Sequence, residues 1–322
     1  MEIDTLEGIQ LGGIPQWIRV RGADATNPVL LLMQQGPGFP MINEAPRLER
    51  LLGLEETFTV VYWDQRGTGL SSPSLRRNSS RFEISVPRMV DDTVTLLELL
   101  RDRFGGKTLI AGFSFGATFA AYAAVRRPEL VAALVAAGMD IDIPAAENDA
   151  YAFALGAARR RGNRRAIRQL EAIGPPPHTN VKQFITRARW VANFGGVATN
   201  ANFNGLLRGL LVSVLRSRDY SAVDVIRTIR GLGVSQAALL PQLATTDLVH
   251  TVPRLDVPIV MAQGRLDQVA PGEAAQRFHD SLTAPSKQLV WFEKSAHTPH
   301  LEEPVKFRDL LITVTANRLA TP

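Results

Sequence analysis

The stretch that decides the fold is KTLIAGFSFGATFAAYAAV, residues 107–125. It begins with a short apolar run that is typical of a buried strand, and it ends with an alanine-rich run that is typical of a helix. Between the two lies Gly112-Phe113-Ser114-Phe115-Gly116, which has the pattern G-x-S-x-G. In a strand–turn–helix context this pattern predicts a strained turn that presents the serine hydroxyl, with glycines that allow close backbone contact. Ser114 is therefore the candidate nucleophile.

Similar buried strands recur along the chain and predict an α/β fold. Helical patterns separate several of them, most clearly over residues 86–104, and this alternation predicts a mostly parallel central sheet with helices on both faces. Alternating residues around Gly12-Gly13 predict an antiparallel hairpin at its edge. Ligand sites of such sheets lie beyond the carboxyl ends of the strands. The further apolar runs are PVLLLM (28–33), FTVVYW (58–63), VAALVAA (131–137), VPIVMAQ (257–263) and KQLVWFE (287–293).

One long interval lacks a convincing strand. We predict a first part of the α/β core at 1–140, a helical cap at 141–252 and a second part of the core at 253–322. Residues 151–250 hold 14 Lys and Arg but four acids. No nucleic-acid-binding motif accompanies this charge, so we interpret it as solvated helix faces. We also expect the aromatic residues of the cap to form its core more than a pocket wall: Tyr151, Trp190, Phe194, Phe203 and Tyr220.

Composition narrows the class of protein. With 322 residues, 45% apolar and 21% charged, the chain is typical of a folded globular protein. The absence of cysteine excludes disulfides, thiolate metal sites and a cysteine nucleophile. The start MEIDTLEGIQ shows no secretory signal, so we expect a cytoplasmic location. The apolar run 108–125 is near the minimum length of a membrane span, and we interpret it as the strand and helix described above. We expect no cofactor, no metal, no nucleic-acid partner and no membrane partner, and the sequence is compatible with a homo-oligomer.

A serine hydroxyl needs a positioned base, which in this architecture follows the nucleophile and an acid in chain order. His297 is the candidate because it lies in SAHTPH, directly after the last apolar run. His300 is its competitor, interpreted as a supporting or surface residue. His178, beside a proline cluster, is expected to be exposed. His250 and His279 lie in segments away from the predicted site.

The acid has two candidates. Asp267 follows the run at 257–263 and fits the chain order, so it is favoured. Asp140 follows the run at 131–137, and its loop also reaches the predicted site. Donors for a developing oxyanion are expected from the backbone N–H groups of Phe115 and Gly36.

These residues resemble those of the α/β-hydrolases, and within them the proline iminopeptidase-like group. In that group a helical cap follows the sixth strand. The resemblance implies Ser114, Asp267 and His297 as a catalytic triad, with Gly36 and Phe115 at the oxyanion hole. It also implies a small-molecule or short-peptide substrate. The matching motifs, which span nearly the whole chain, are GPG (36–38), DQRGTGLS (64–71), GFSFG (112–116), GRLD (264–267) and SAHTPHLEEP (295–304).

Some positions depart from that group's pattern. Gln34 and Gln35 stand where the family loop has His-Gly, and Phe115 stands where Trp is common. The iminopeptidases hold the free amino group of the substrate with cap carboxylates, whereas this cap is poor in acids. The acids in or beside it are Asp140, Asp142, Glu147, Asp149, Glu171, Asp219, Asp224 and Asp247.

The sequence thus predicts a serine hydrolase that cleaves a small ester, lactone or amide through an acyl-enzyme. Two alternatives stay open. One is release of N-terminal proline, and the other is a non-acylating enzyme that uses the His–Asp pair as a base. In the DQRG segment Arg66 is expected to bridge neighbouring loops rather than to take part in the chemistry.

Overall fold

The computed structural model describes residues 1–73 and 82–319 and is built around an eight-stranded sheet. The order is β1-β2-β4-β3-β5-β6-β7-β8; β1 and β2 form an antiparallel hairpin, β2 also pairs antiparallel with β4, and the remaining pairs are parallel. The predicted hairpin at the edge and the six predicted apolar strands are confirmed. The strands are β1 (Ile3–Leu11), β2 (Ile14–Gly22), β3 (Val29–Met33), β4 (Thr59–Asp64), β5 (Thr108–Phe113), β6 (Val131–Ala137), β7 (Ile259–Gly264) and β8 (Lys287–Phe292).

Helices cover both faces of the sheet, and two apolar layers hold them there. Every residue of β3, β4, β5 and β7 is buried, which explains why these strands are continuously apolar rather than alternating. The helices are α1 (Ala45–Leu52), α2 (Val86–Phe104), α3 (Phe115–Arg126), α4 (Ile143–Arg160), α5 (Arg164–Ile173), α6 (Val181–Asn193), α7 (Phe203–Arg216), α8 (Ala222–Leu243), α9 (Leu248–Thr251), α10 (Gly272–Ser281), α11 (Pro299–Glu302) and α12 (Pro304–Leu319).

The chain between β6 and β7 is helical, with α4 to α9 and no strand of the sheet. We refer to these six helices as the inserted helices, and we propose that they form the cap predicted at 141–252. Tyr220, between α7 and α8, donates a hydrogen bond from its hydroxyl to the buried carboxylate of Asp64, at the end of β4. The same carboxylate accepts from the backbone N–H groups of Met41, Ile42 and Leu70. One buried acid of the core therefore ties the inserted helices to two core loops.

No helix in residues 1–73 and 82–319 is long and apolar enough to cross a membrane. The apolar run 108–125 is divided between β5 and α3, as predicted.

Arg66 bridges elements of the core, as the sequence predicts. Its guanidinium is fully buried and donates to both carboxylate oxygens of Asp92 in α2, at 2.7 and 3.0 Å. It also donates to the backbone oxygen of Gly12 in the edge hairpin at 3.0 Å. Gln16 completes the network by donating to Asp92 at 2.6 Å. The network therefore joins the edge hairpin, the loop after β4 and a covering helix.

Replacement of the carboxylate in this network should strongly destabilise the fold. Asp92→Ala removes the anion that neutralises the buried guanidinium, so we expect the free energy of unfolding to fall by about 3–5 kcal/mol. Guanidinium denaturation measures this change. Asp102→Ala, in an exposed pair with Arg101, is the control and should change stability by less than about 0.5 kcal/mol. Equal effects of the two substitutions would contradict the structural role of the buried pair.

Candidate active site

Ser114 occupies the turn between β5 and α3 in a strained conformation. Its φ of 52° and ψ of −125° lie outside the favoured regions, and within residues 1–73 and 82–319 it is the only residue other than glycine with a positive φ. Such strain persists only where the surrounding structure enforces it, and it is concentrated at functional sites. The backbone N–H of Ser114 donates to Ala137 at the end of β6, which fixes the turn against the neighbouring strand.

The glycines of the G-x-S-x-G pattern are required by close backbone contact. A Cβ atom on Gly112 would lie 2.5 Å from the Cα of Ala117, and one on Gly116 would lie 2.5 Å from the backbone oxygen of Gln34. The first contact packs β5 against the start of α3. The second brings the loop after β3 against the same helix.

His297 and Asp267 form a buried hydrogen-bonded pair behind the nucleophile. The Nδ1 of His297 lies 2.8 Å from the Oδ2 of Asp267, and both side chains are almost fully buried. The other carboxylate oxygen of Asp267 accepts from the backbone N–H groups of Val269 and Ala270, so the acid is fixed from two sides. Burial disfavours the charged imidazole, but the attraction of Asp267 and its hydrogen bond outweigh burial and raise the pKa of His297.

Asp140, the alternative acid, contacts the serine instead of the histidine. The Ser114 hydroxyl donates to the Oδ2 of Asp140 at 2.6 Å, whereas no hydrogen bond joins Ser114 to His297 in the described part of the chain. Burial raises the pKa of Asp140 to about 6, against the opposing effects of His297 and of the Ser114 hydrogen bond. The backbone oxygen of Asp140 accepts from the Thr118 hydroxyl of α3, which holds the loop beside the nucleophile.

The two candidate oxyanion donors also border the site. Phe115 is the first residue of α3, so its N–H has no partner within the helix. Gly36 lies in the loop after β3 with a φ of 144°. Both residues line the same cavity as Ser114, Asp140 and His297. Asp267 lies behind His297, so the structure brings every predicted site residue to one end of the sheet.

The other histidines have different surroundings. His300 is buried against Phe113, with ring centroids 4.0 Å apart, and burial lowers its pKa to about 3, so it stays neutral. The expectation that His178 is exposed was wrong, because it retains 1% of its accessible surface. It lies between Glu147, which accepts from its backbone N–H, and Arg187, which lies 3.1 Å from its Nδ1. His250 and His279 pair with Asp247 and Asp280 away from the cavity.

The cavity in front of Ser114 has a volume of about 430 Å³ and is mostly apolar. Residues of α6, α7 and α8 form much of its wall, including Phe184, Leu206, Leu210 and Leu240. Of the aromatic residues expected in the cap core, Phe203 lines the cavity, whereas Trp190 and Phe194 stack on each other at 5.7 Å.

Two charged side chains of the cavity wall are paired with each other. Glu147 of α4 and Arg187 of α6 form an ion pair at 2.5 Å, and both are buried. No group of three or more His, Asp or Glu side chains is arranged to hold a metal ion in residues 1–73 and 82–319.

The fold is that of an α/β-hydrolase enzyme, and the strained turn at Ser114 has the G-x-S-x-G pattern of that fold. The model of the family "Serine aminopeptidase, S33" matches residues 54–304, and the chain belongs to that family. It is 28% identical over 310 residues to the "Probable aminopeptidase YbaC" of Bacillus subtilis (strain 168), covering 96% of this chain and 95% of the relative.

Two solved structures share the fold at 18% identity. The proline iminopeptidase-related protein from Thermus thermophilus has a TM-score of 0.67 over 98% of both chains. The proline iminopeptidase of Mycobacterium smegmatis has a TM-score of 0.67 over 99% of this chain and 100% of that chain.

Sequence reasoning did not foresee two features of the site. The hydrogen bond between Ser114 and Asp140 depends on the direction of two side chains, although the position of Asp140 at the end of a predicted strand was a signal. The pair of Glu147 and Arg187 joins residues 40 positions apart on different helices, and no local pattern indicates it.

The close contact at Gly116 yields a test of the geometry of the turn at Ser114. Gly116→Ala forces its new methyl group against the backbone of the loop after β3, so we expect a loss of about 1–3 kcal/mol in the free energy of unfolding. Gly233→Ala is the matched control, because α8 leaves open space there and should gain up to about 1 kcal/mol. Guanidinium denaturation compares the two variants. A neutral Gly116→Ala would show that the contact is looser than the structure indicates.

Proposed function

We propose that this protein is a serine hydrolase that cleaves a small ester, lactone or amide through an acyl-enzyme, with Ser114, His297 and Asp267 as the catalytic triad. One observation carries the proposal: a buried imidazole held by a carboxylate at 2.8 Å lines the same cavity as a serine on a strained turn. This combination supplies a nucleophile, a base and a group that orients the base.

In the proposed reaction His297 accepts the Ser114 proton at Nε2 while the serine oxygen forms a bond to the substrate carbonyl carbon. Asp267 holds the Nδ1–H of the ring and stabilises the imidazolium that results. The oxyanion is stabilised by the N–H groups of Gly36 and Phe115, and by the positive end of the α3 dipole. His297 then protonates the leaving group as its bond to carbon breaks. Water next attacks the acyl carbon while His297 accepts its proton, and His297 returns that proton to the Ser114 oxygen as the acyl–oxygen bond breaks.

The hydrogen bond between Ser114 and Asp140 belongs to the resting state in this proposal. To transfer its proton, the Ser114 hydroxyl must exchange its partner Asp140 for His297. The largely apolar cavity suits the acyl part of the substrate, since burial of apolar surface there contributes about 25 cal/mol per Å².

Removal of the nucleophile tests the acyl-enzyme directly. In Ser114→Ala we expect kcat/KM for a chromogenic ester to fall by about 1,000-fold or more, because no oxygen remains to attack the carbonyl. A fluorophosphonate probe should add its mass to Ser114 of the wild type and not to the variant, as measured by mass spectrometry.

Ser217→Ala is the control for this experiment. Ser217 is also buried but lies outside the cavity, so labelling and turnover should match the wild type. Undiminished turnover by Ser114→Ala would overturn the acyl-enzyme and favour the alternative in which the His–Asp pair acts as a base on bound substrate.

The pH dependence of kcat/KM tests the His297–Asp267 pair. Since His297 must be neutral to accept a proton and its pKa is raised, activity should be lost as the pH falls through a value above the ordinary 6.5. Asp267→Asn removes the charge that raises the pKa, and burial of the ring then lowers it. We therefore expect this acid limb to move to lower pH, with kcat/KM reduced by about 1,000- to 10,000-fold.

Profiles between about pH 5 and 9 measure both effects. Asp256→Asn, which alters an exposed carboxylate, should leave the profile unchanged. An acid limb at the same pH in wild type and Asp267→Asn would show that the titrating group is not a histidine controlled by Asp267.

A further inference from the structure

We propose that the outward faces of α7 and α8, with the turn between them, dock on an anionic lipid membrane, so that both helices lie in the interface between headgroups and acyl chains. Helices in this position need no spanning segment, and the expectation of no membrane partner rests on the search for such a segment. We call these faces the α7–α8 surface. It consists of seven exposed apolar residues and four exposed arginines: Leu207, Leu211, Leu215, Val223, Ile226, Ile229 and Val234, with Arg208, Arg216, Arg218 and Arg230.

Exposed apolar residues are concentrated on these two helices. Within residues 1–73 and 82–319, fourteen large apolar residues are exposed, and seven of them belong to α7 and α8. Each of the seven retains 41–61% of its accessible surface. Single exposed apolar residues are normal in folded proteins, whereas a cluster of this kind indicates a surface that associates with a partner.

The apolar residues form continuous stripes along the helices. Leu207, Leu211 and Leu215 follow one another at intervals of four residues, so they lie along one side of α7. On α8, Val223 and Val234 lie three turns apart on one face. The opposite faces contribute residues that are buried inside the molecule: Val214, Leu239, Leu240 and Leu243. Each helix therefore has one apolar face packed in the protein and a second one open to the outside.

The exposed charges of the α7–α8 surface are all positive. The acids in residues 203–243 are Asp219 and Asp224. Asp219 pairs with Arg19 of β2 at 2.6 Å, and Asp224 belongs to the capping box of α8 and pairs with Arg227 at 3.2 Å. The four exposed arginines have no carboxylate at ion-pair distance in the described part of the chain. The surface is therefore both apolar and cationic.

The arginines lie among the apolar residues and not only around them. Arg208 is three residues from Leu211, and Arg230 is four residues from both Ile226 and Val234, so each shares a helix face with them. A long arginine side chain at such a position keeps its methylene groups on apolar surface and extends its guanidinium to a phosphate group. Anionic headgroups above acyl chains therefore match both kinds of residue.

Two other occupants fit the surface less well. A second copy of this chain, paired through the same surface, would bring four arginines from each copy together without an acid to neutralise them. A nucleic acid would pair with the arginines but would leave the apolar stripes uncovered. An anionic lipid surface complements the charge and covers the apolar residues, so it is the occupant that the surface favours.

The α7–α8 surface is continuous with the candidate active site. Leu206 and Leu210 of α7 line the cavity, and Leu207 both lines it and is 44% exposed. Docking would therefore place one apolar wall of the cavity at the membrane. On the basis of the proposed function, this arrangement favours esters with apolar acyl groups as substrates.

Flotation with lipid vesicles tests the docking. Wild-type protein should float with vesicles of phosphatidylcholine and phosphatidylglycerol. Its affinity for vesicles of phosphatidylcholine alone should be at least about 25-fold lower, because each arginine near an anionic surface contributes about fivefold. Added salt should weaken the binding, since ions screen exposed charges. Equal affinity for both kinds of vesicle, or no binding to either, would overturn the proposal.

Charge variants locate the docking surface. The double substitution Arg208→Ala with Arg230→Ala should lower the affinity for the anionic vesicles by about 25-fold. The matched control is Arg164→Ala with Arg165→Ala, which removes two exposed arginines of α5, outside the α7–α8 surface. This control should lose less than about twofold. Equal losses in the two double variants would show that overall charge attracts the protein, and would overturn docking through α7 and α8.

Apolar variants separate insertion from charge attraction. Leu211→Gln with Ile226→Gln should lower the affinity about tenfold or more, because glutamine does not enter the acyl layer. The control, Leu99→Gln with Val305→Gln, alters exposed residues of α2 and α12 and should leave the affinity unchanged. All four positions are exposed, so the thermal unfolding temperature should match that of the wild type. Undiminished vesicle binding by the first pair would overturn the proposal.

Gel filtration tests the second copy as occupant. A wild-type dimer that becomes a monomer in the variant Leu211→Gln with Ile226→Gln would identify a second copy as the partner and overturn the proposal. Flotation requires no turnover, so failure of the docking and failure of the proposed function are distinguishable. Hydrolysis of a soluble ester without vesicle binding would refute the docking alone, whereas vesicle binding without fluorophosphonate labelling of Ser114 would refute the proposed function alone.

Discussion

The strained backbone at Ser114 is the constraint on which the site depends. A positive φ costs free energy in a residue that has a side chain. Ser114 keeps this conformation because the packing of β5, β6 and α3 constrains the turn. Gly112 and Gly116 allow these elements to approach so closely that any side chain at either position would overlap backbone atoms. The same contact at Gly116 brings the loop with Gly36 to the nucleophile, so the turn organises both the serine and its neighbouring backbone donors.

Two buried aspartates flank this turn, and their surroundings divide them chemically. Asp267 has an imidazole and two backbone N–H groups as partners. Asp140 has a serine hydroxyl, and burial raises its pKa to about 6. Carboxylates with different surroundings commonly take different tasks in one active site.

The sequence was informative wherever a local pattern determines structure. Buried strands, the edge hairpin and the serine turn follow from apolar runs and glycine positions, and chain order was enough to expect Asp267 and His297 at the same end of the sheet as Ser114. It was uninformative where contacts join distant elements. His178 was expected to be exposed because prolines surround it, yet helices α4 and α6 enclose it through Glu147 and Arg187. The partner of Asp140 likewise depends on a side-chain direction that no spacing encodes.

The pairing of Glu147 with Arg187 changes the meaning of the acid-poor cap. A count of acids indicates only that few carboxylates are available to an amino group. The structure shows in addition that Glu147 is already neutralised by Arg187 inside the wall. Because these two charges compensate each other, the part of the cavity wall that the inserted helices form carries no net charge, and its remaining surface is largely apolar. Within residues 1–73 and 82–319, the carboxylates that line the cavity and form no ion pair belong to the core: Asp140, beside the nucleophile, and Glu302 of α11. Any recognition of charge in this cavity would therefore involve the core, which also carries the nucleophile, rather than the inserted helices.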